Sequence, residues 1–154
     1  MQKITLLTVG SPKSSCVKDG REEYICRLLG RIDFSILPVQ PSKSKDPAKQ
    51  REEESQRLLA LLQKQDGDVW VLDESGKELS SQEFAAALTC VRDLGTKLTF
   101  VLGGAYGLSN AIRSRADRII ALSRMTFPHE LCQLIFLEQL YRALQIQKGS
   151  GYHH

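Results

Sequence analysis

The chain has 154 residues, 42% of them hydrophobic and 25% charged, with a formal net charge of +3 at pH 7. That balance fits one soluble globular domain, residues 1–154, which buries about two-thirds of its extended-chain surface, and it excludes wholesale disorder. No apolar run has the length of a membrane span, and Met1-Gln2-Lys3 leads into a strand-like segment rather than a secretory signal, so the expected location is cytoplasmic.

In chain order, Ile4–Val9 is an apolar run of strand length, and Cys16–Leu29 has helical spacing with Val17, Tyr24 and Leu28 on one stripe. Phe34–Val39 reads as a second strand. A lysine-rich linker, Lys43–Lys49, leads into a long charged helix from Asp46 to Gln65, amphipathic at its far end through Leu58, Leu59, Leu61 and Leu62. Val69–Leu72 is a third strand, and the turn signal Asp73-Glu74-Ser75-Gly76 should end it. Ser80 with Glu83 three residues on is a capping box, ahead of Phe84, Ala87, Leu88 and Val91 at helical spacing. Leu98–Leu102 and Ile119–Leu122 are the fourth and fifth strands, separated by a glycine loop and a short helix near Asn110–Arg115. Pro128 suits the first turn of a last helix, Pro128–Gln147. Strands alternating with helices imply an α/β fold, a mostly parallel sheet with helices on both faces. There are no internal repeats and no sign of a second domain.

Cys16, Cys26, Cys90 and Cys132 are widely spaced and include no C-x-x-C pair, so neither a disulfide framework nor a metal site is expected. Cys26, Cys90 and Cys132 read as small buried hydrophobes. The whole charge surplus sits between Gly103 and Pro128, where Arg113, Arg115, Arg118 and Arg124 face a single acid, Asp117. An electropositive rim there favours an anionic partner such as RNA, and a solvated helix face explains the same charges equally well.

In the last helix, Leu131, Leu134, Ile135, Phe136, Leu137, Leu140, Tyr141, Leu144 and Ile146 cover most of the circumference. A helix that is apolar nearly all round is buried on more than one side, which points to a two-fold dimer ahead of packing wholly within one chain. Glu138 and Arg142, at i,i+4 spacing, should pair.

Gly103-Gly104-Ala105-Tyr106-Gly107 follows the fourth strand, and ligands of open parallel sheets bind beyond the carboxyl ends of strands. The run is not G-x-G-x-x-G, lacks the G-K-[ST] of a phosphate loop, and Ser109 is outside any G-x-S-x-G elbow. Pattern alone leaves a ligand loop and a structural glycine turn equally open.

Residue identity goes further. LLTVG and VKDGREEYICRL near the start, WVLDESGKELSSQEFA in the middle, and then FVLGGAYGLS, LSRMTFPHEL, LEQLYRA and the final Tyr152-His153 occur in order. Over essentially its whole length the chain resembles the SPOUT-class methyltransferases that methylate N3 of a pseudouridine in large-subunit (23S) ribosomal RNA. The resemblance implies an alpha/beta knot fold with a deep C-terminal trefoil knot, S-adenosyl-L-methionine as cofactor, no metal, a homodimer, and ribosomal RNA in the assembled ribosome as substrate.

By matching motifs, it implies cofactor contacts at Leu72, Gly103, Leu122, Ser123, Arg124, Met125, Thr126 and Phe127. It also places His153 near the N3 proton, Tyr152 against the base, and Arg142, with Arg124, near phosphate or the developing imide anion. Related chains tend to end on a basic residue after Tyr-His, where this one has His154; that puts the tail's share of RNA affinity in doubt. Two rival readings keep the fold: methylation of another RNA base or ribose, and a non-catalytic RNA-binding module. Cofactor binding and substrate identity separate them.

Overall fold

The computed structural model describes residues 1–153; His154, with the reading attached to it, lies outside the described residues. The elements are β1 (Lys3–Val9), α1 (Ser15–Leu28), β2 (Asp33–Val39), α2 (Pro47–Leu62), β3 (Asp68–Glu78), α3 (Ser81–Asp93), β4 (Leu98–Leu102), α4 (Asn110–Arg115), β5 (Arg118–Ala121) and α5 (His129–Lys148). The five strands form one sheet in the order β2-β1-β4-β3-β5, and every neighbouring pair is parallel.

Strand alternation divides the core in two. Ile4, Leu6, Trp70, Leu72, Phe100 and Leu102 point to the face covered by α1, α3 and α5, where they meet Leu28, Phe84, Leu88, Phe136 and Leu140. Leu7, Val9, Val69, Val71 and Val101 point the other way, onto Leu58 and Leu62 of α2 and Ile112 of α4. The central strands are buried on both faces, which is why β1 and β4 read as continuous apolar runs. Pro38 lacks an N–H to donate to a ladder and sits in the edge strand β2, paired on one side only.

Local signals set several boundaries. Asp46 is the N-cap of α2, its side chain accepting the Lys49 N–H, with Pro47 as the first helical residue. The capping box forms in full: Glu83 N–H donates to Ser80 Oγ at 3.1 Å, and Ser80 N–H donates to Glu83 Oε2 at 2.7 Å. Gly149, at φ 65°, closes α5 in the left-handed conformation that suits a glycine.

Three expectations are corrected. β3 does not end at Leu72. Leu72 and Lys77 both pair with Ile120, so the predicted turn is a four-residue bulge after which the strand rejoins the ladder. Cys26 and Cys90 are exposed and Cys132 only partly buried, because the first two sit on the outer faces of α1 and α3. Pro128 is the residue before α5 rather than a member of its first turn.

α5 lies between α1 and α3, and these two helices cover much of the apolar circumference noted in its sequence. Gly20 of α1 allows the close approach, since a Cβ there would stand 2.9 Å from Leu134 Cδ1. Of the large apolar side chains of α5, Leu131 is the exposed one. The Glu138–Arg142 pair is present, with Arg142 Nε donating to Glu138 Oε1 at 2.9 Å. Among the described residues, no helix is long and apolar enough to cross a membrane.

Candidate cofactor-binding site

Three loops converge where β4 and β5 end beside the bulge of β3. The first is the β3 bulge. Asp73 Oδ1 accepts the Ser75 N–H at 2.9 Å and the Ser75 hydroxyl at 2.6 Å, which folds the bulge onto itself. Its other oxygen accepts Arg113 Nη2 of α4 at 2.7 Å. Gly76 brings the chain back so closely that a Cβ would stand 2.6 Å from the Ile119 carbonyl carbon. Burial opposes ionisation of Asp73, but the Ser75 hydrogen bonds and the Arg113 guanidinium outweigh it and hold the carboxyl below its ordinary range.

The second loop is Gly103–Leu108. Gly107 has φ 78° and donates its N–H to the Gly104 carbonyl at 3.1 Å. A Cβ on Gly103 would press on Leu108 Cγ at 2.8 Å. The loop's far end is fixed by Ser109, whose N–H donates to the buried Ser55 Oγ at 2.9 Å. The third loop, Leu122–Pro128, is shaped by Ser123 Oγ, which accepts the Met125 N–H at 2.9 Å. Met125 remains 74% exposed at the mouth.

Between the loops lies a cavity of about 390 Å3. Of the residues expected to bind cofactor, Leu72, Gly103, Leu122, Ser123, Met125, Thr126 and Phe127 line it, whereas Arg124 is exposed and is not among the lining residues. Asp73, Glu74, Arg113, His129 and Cys132 also line it and were not singled out as ligands from the sequence. The signal for Arg113 was there in part, in the run of arginines after the glycine loop. Burial pushes the Cys132 thiol up, so it lines the cavity as a neutral group.

The volume is that of a nucleoside-sized pocket, with apolar walls from Leu122 and Phe127 and loop backbone within reach. These residues fit a flat base with a polar edge, its faces against the apolar walls and its edge toward loop backbone. Among the described residues, no group of three or more His, Cys, Asp or Glu is gathered as a metal site.

The residues assigned to chemistry gather elsewhere. Tyr152 packs edge-on against Tyr141 with ring centroids 5.1 Å apart, Arg142 lies 4.9 Å over the Tyr152 ring, and Arg142 Nη1 is 3.5 Å from His153 Nδ1. Arg142, Tyr152 and His153 are therefore one cluster, at the carboxyl end of α5. The cavity touches the opposite end of that helix, at His129 and Cys132. With a rise of about 1.5 Å per residue, Cys132 and Arg142 are about 15 Å apart along the axis.

A parallel sheet with a nucleoside-sized pocket among the loops at its strand ends defines an α/β protein that binds a nucleotide-like cofactor. A model of the SPOUT methyltransferases, described as a predicted SPOUT methyltransferase family, matches residues 2–153, and the chain belongs to that family. It is a methyltransferase, and the family's cofactor is S-adenosyl-L-methionine. The chain is 41% identical over 153 residues to ribosomal RNA large subunit methyltransferase H of Geobacter sp. (strain M21), covering 99% of each protein. It is 40% identical, at the same coverage, to the protein of the same name from Geotalea daltonii. Among solved structures, a probable methyltransferase from Bordetella pertussis Tohama I aligns with TM-score 0.59 and 15% identity, over 93% of this chain and 96% of that one, a likeness of fold.

Proposed function

We propose that the chain methylates N3 of a pseudouridine in large-subunit (23S) ribosomal RNA, on the assembled ribosome, as a homodimeric single-domain enzyme of the cytoplasm. The observation that carries this is the full-length similarity to ribosomal RNA large subunit methyltransferase H, at about 40% identity. Supporting it, seven of the eight motif residues assigned to the cofactor, all but Arg124, meet around one cavity.

Bound S-adenosylmethionine supplies an electrophilic sulfonium methyl. Leu122 and Phe127 would keep water from it, the backbone of Gly103, Ser123, Met125 and Thr126 would hold it, and the exposed Arg124 would face RNA. The pseudouridine N3 is an imide nitrogen and must lose its proton to attack. His153 accepts that proton, Arg142 beside it offsets the charge left on the imide, and Tyr152 orients the base.

The separation of tail and cavity along α5 favours a dimer in which two α5 helices run antiparallel, so that each tail stands by the other protomer's cavity. The half-buried Leu134, Ile135 and exposed Leu131 supply apolar surface for that contact. A deep trefoil knot accords with the strand order, in which β5 lies outside β3, and with the bulge that passes close over β5 at Gly76.

The test is methyl transfer from labelled S-adenosylmethionine to ribosomes lacking the modification, followed by nucleoside digestion and mass spectrometry. Label in N3-methylpseudouridine is expected. Label in another nucleoside moves the target while keeping the enzyme, and equal labelling of protein-free RNA removes the ribosome from the reading.

A further inference from the structure

Glu54 and Ser55 of α2 are buried behind the glycine loop, and nothing in the chemistry above uses Glu54. They are 2% and 0% exposed. Ser55 has a visible partner in the Ser109 N–H. Glu54 Oε2 accepts the Ser42 N–H at 3.1 Å, but Oε1 is buried with no hydrogen-bond partner. A carboxylate oxygen withdrawn from water without a donor costs free energy, and its retention in a folded chain calls for a reason.

That oxygen points at the loop. A Cβ on Gly104 would stand 2.7 Å from Glu54 Oε1, with Val9 Cγ1 next at 3.4 Å. Gly104 does not have a positive φ, so backbone strain gives no cause for a glycine there. A side chain at position 104 would instead have to push the Glu54 carboxylate aside. The contact joins α2, on one face of the sheet, to the loop that lines the cavity.

We propose that Glu54 is a positioning residue for the adenine of the cofactor, its free oxygen accepting the Gly104 N–H in the bound state. The N–H and C=O of a trans peptide point in opposite directions. An N–H of Gly104 directed down at Glu54 therefore turns the Gly103 carbonyl up into the cavity, where it accepts a hydrogen bond from the adenine amino group. Glu54 never touches the cofactor; it sets the peptide plane that does. This rests on the reading of the cavity as the S-adenosylmethionine site.

Calorimetric titration with S-adenosylhomocysteine and with its inosine counterpart, which lacks the amino donor, tests it. Glu54→Ala is expected to weaken the adenosine ligand about tenfold and leave the inosine ligand within about twofold, so the preference for adenine collapses. Glu54→Gln, which keeps the side-chain oxygen, is expected to recover most of the preference. General damage weakens both ligands alike, and an unchanged adenine-to-inosine ratio in Glu54→Ala overturns the proposal. Should that variant not fold, Gly104→Ala drives the Glu54 carboxylate off the loop and is expected to lose the same preference; a retained preference there overturns it equally. Wild-type protein that binds neither ligand removes the cofactor reading itself, whereas wild-type binding with unaltered variants removes only Glu54.

Discussion

Arg113 Nη2 lies 2.7 Å from Asp73 Oδ2, tying the first residue of the β3 bulge to the helix that follows the glycine loop. Two of the three cavity loops are thereby held by one ion pair whose carboxylate side chain is only 9% exposed. Replacing Arg113 with alanine leaves that carboxylate without its cation and frees the bulge. The expected result is a loss on the order of 1–3 kcal/mol in stability. Weaker binding of S-adenosylhomocysteine should accompany it, read by calorimetry beside a urea unfolding curve.

The same pair gives an acid limit. Asp73 titrates below the ordinary value of 3.8, so its contribution to stability is complete above that value and is lost as pH falls through the lower, folded one. Cofactor-product affinity measured from pH 6 downward should hold through the ordinary carboxylate range and decline only below it (roughly below pH 4). Asp73→Asn should flatten that decline while weakening binding at every pH.

Phe100 is fully buried, 4.6 Å from the Phe136 ring and 5.6 Å from Trp70, so it joins β4 to α5 and β3 at once. Phe100→Ala should cost about 3–5 kcal/mol in chemical denaturation. Phe100→Leu should cost markedly less, because it leaves a smaller cavity.

Ser80→Ala removes one half of the capping box on an exposed helix start. A loss of about 1 kcal/mol is expected, with cofactor binding unchanged.

Mixed dimers test the proposal of a site shared between two protomers. His153→Ala and Gly103→Ala should each be inactive, the first lacking the tail imidazole and the second forcing a methyl against Leu108. Refolding the two together should restore about a quarter of wild-type methylation if each site takes its tail from the partner, since half the dimers then carry one complete site. Absence of any recovery would place tail and cavity in the same chain.

Much of this was legible because the deciding interactions are short in sequence. The Ser80–Glu83 box and the Glu138–Arg142 pair need three or four residues of context, and both form as read. The buried central strands announced themselves as apolar runs. What failed depended on distant chain. Asp73–Gly76 carries every mark of a turn, and only the backbone of Ile119 and Ile120, more than forty residues on, shows that the strand resumes. Glu54 sits in a charged stretch that reads as solvated, and nothing nearby in sequence reveals that Gly104 covers it. The error over Cys26 was avoidable: the stripe of Tyr24 and Leu28 puts residue 26 on the opposite side of α1. The arginine run fits an electropositive rim and a solvated helix face equally in sequence, and neither anticipates that Arg113 spends its charge on Asp73.

The strand order bears on how the molecule comes into being. β5 adds to the sheet beyond β3, and the cavity draws its walls from Leu72 through Cys132. During synthesis, β1, β2, β3 and β4 can pair and bury a core while the chain that completes the pocket is still being made. Long-range parallel pairing is slow, and here it is also last. Affinity for the methyl donor is thus expected only once the residues near Phe127 dock. Ligand added during refolding should therefore leave the early phases unchanged and stabilise only the final product.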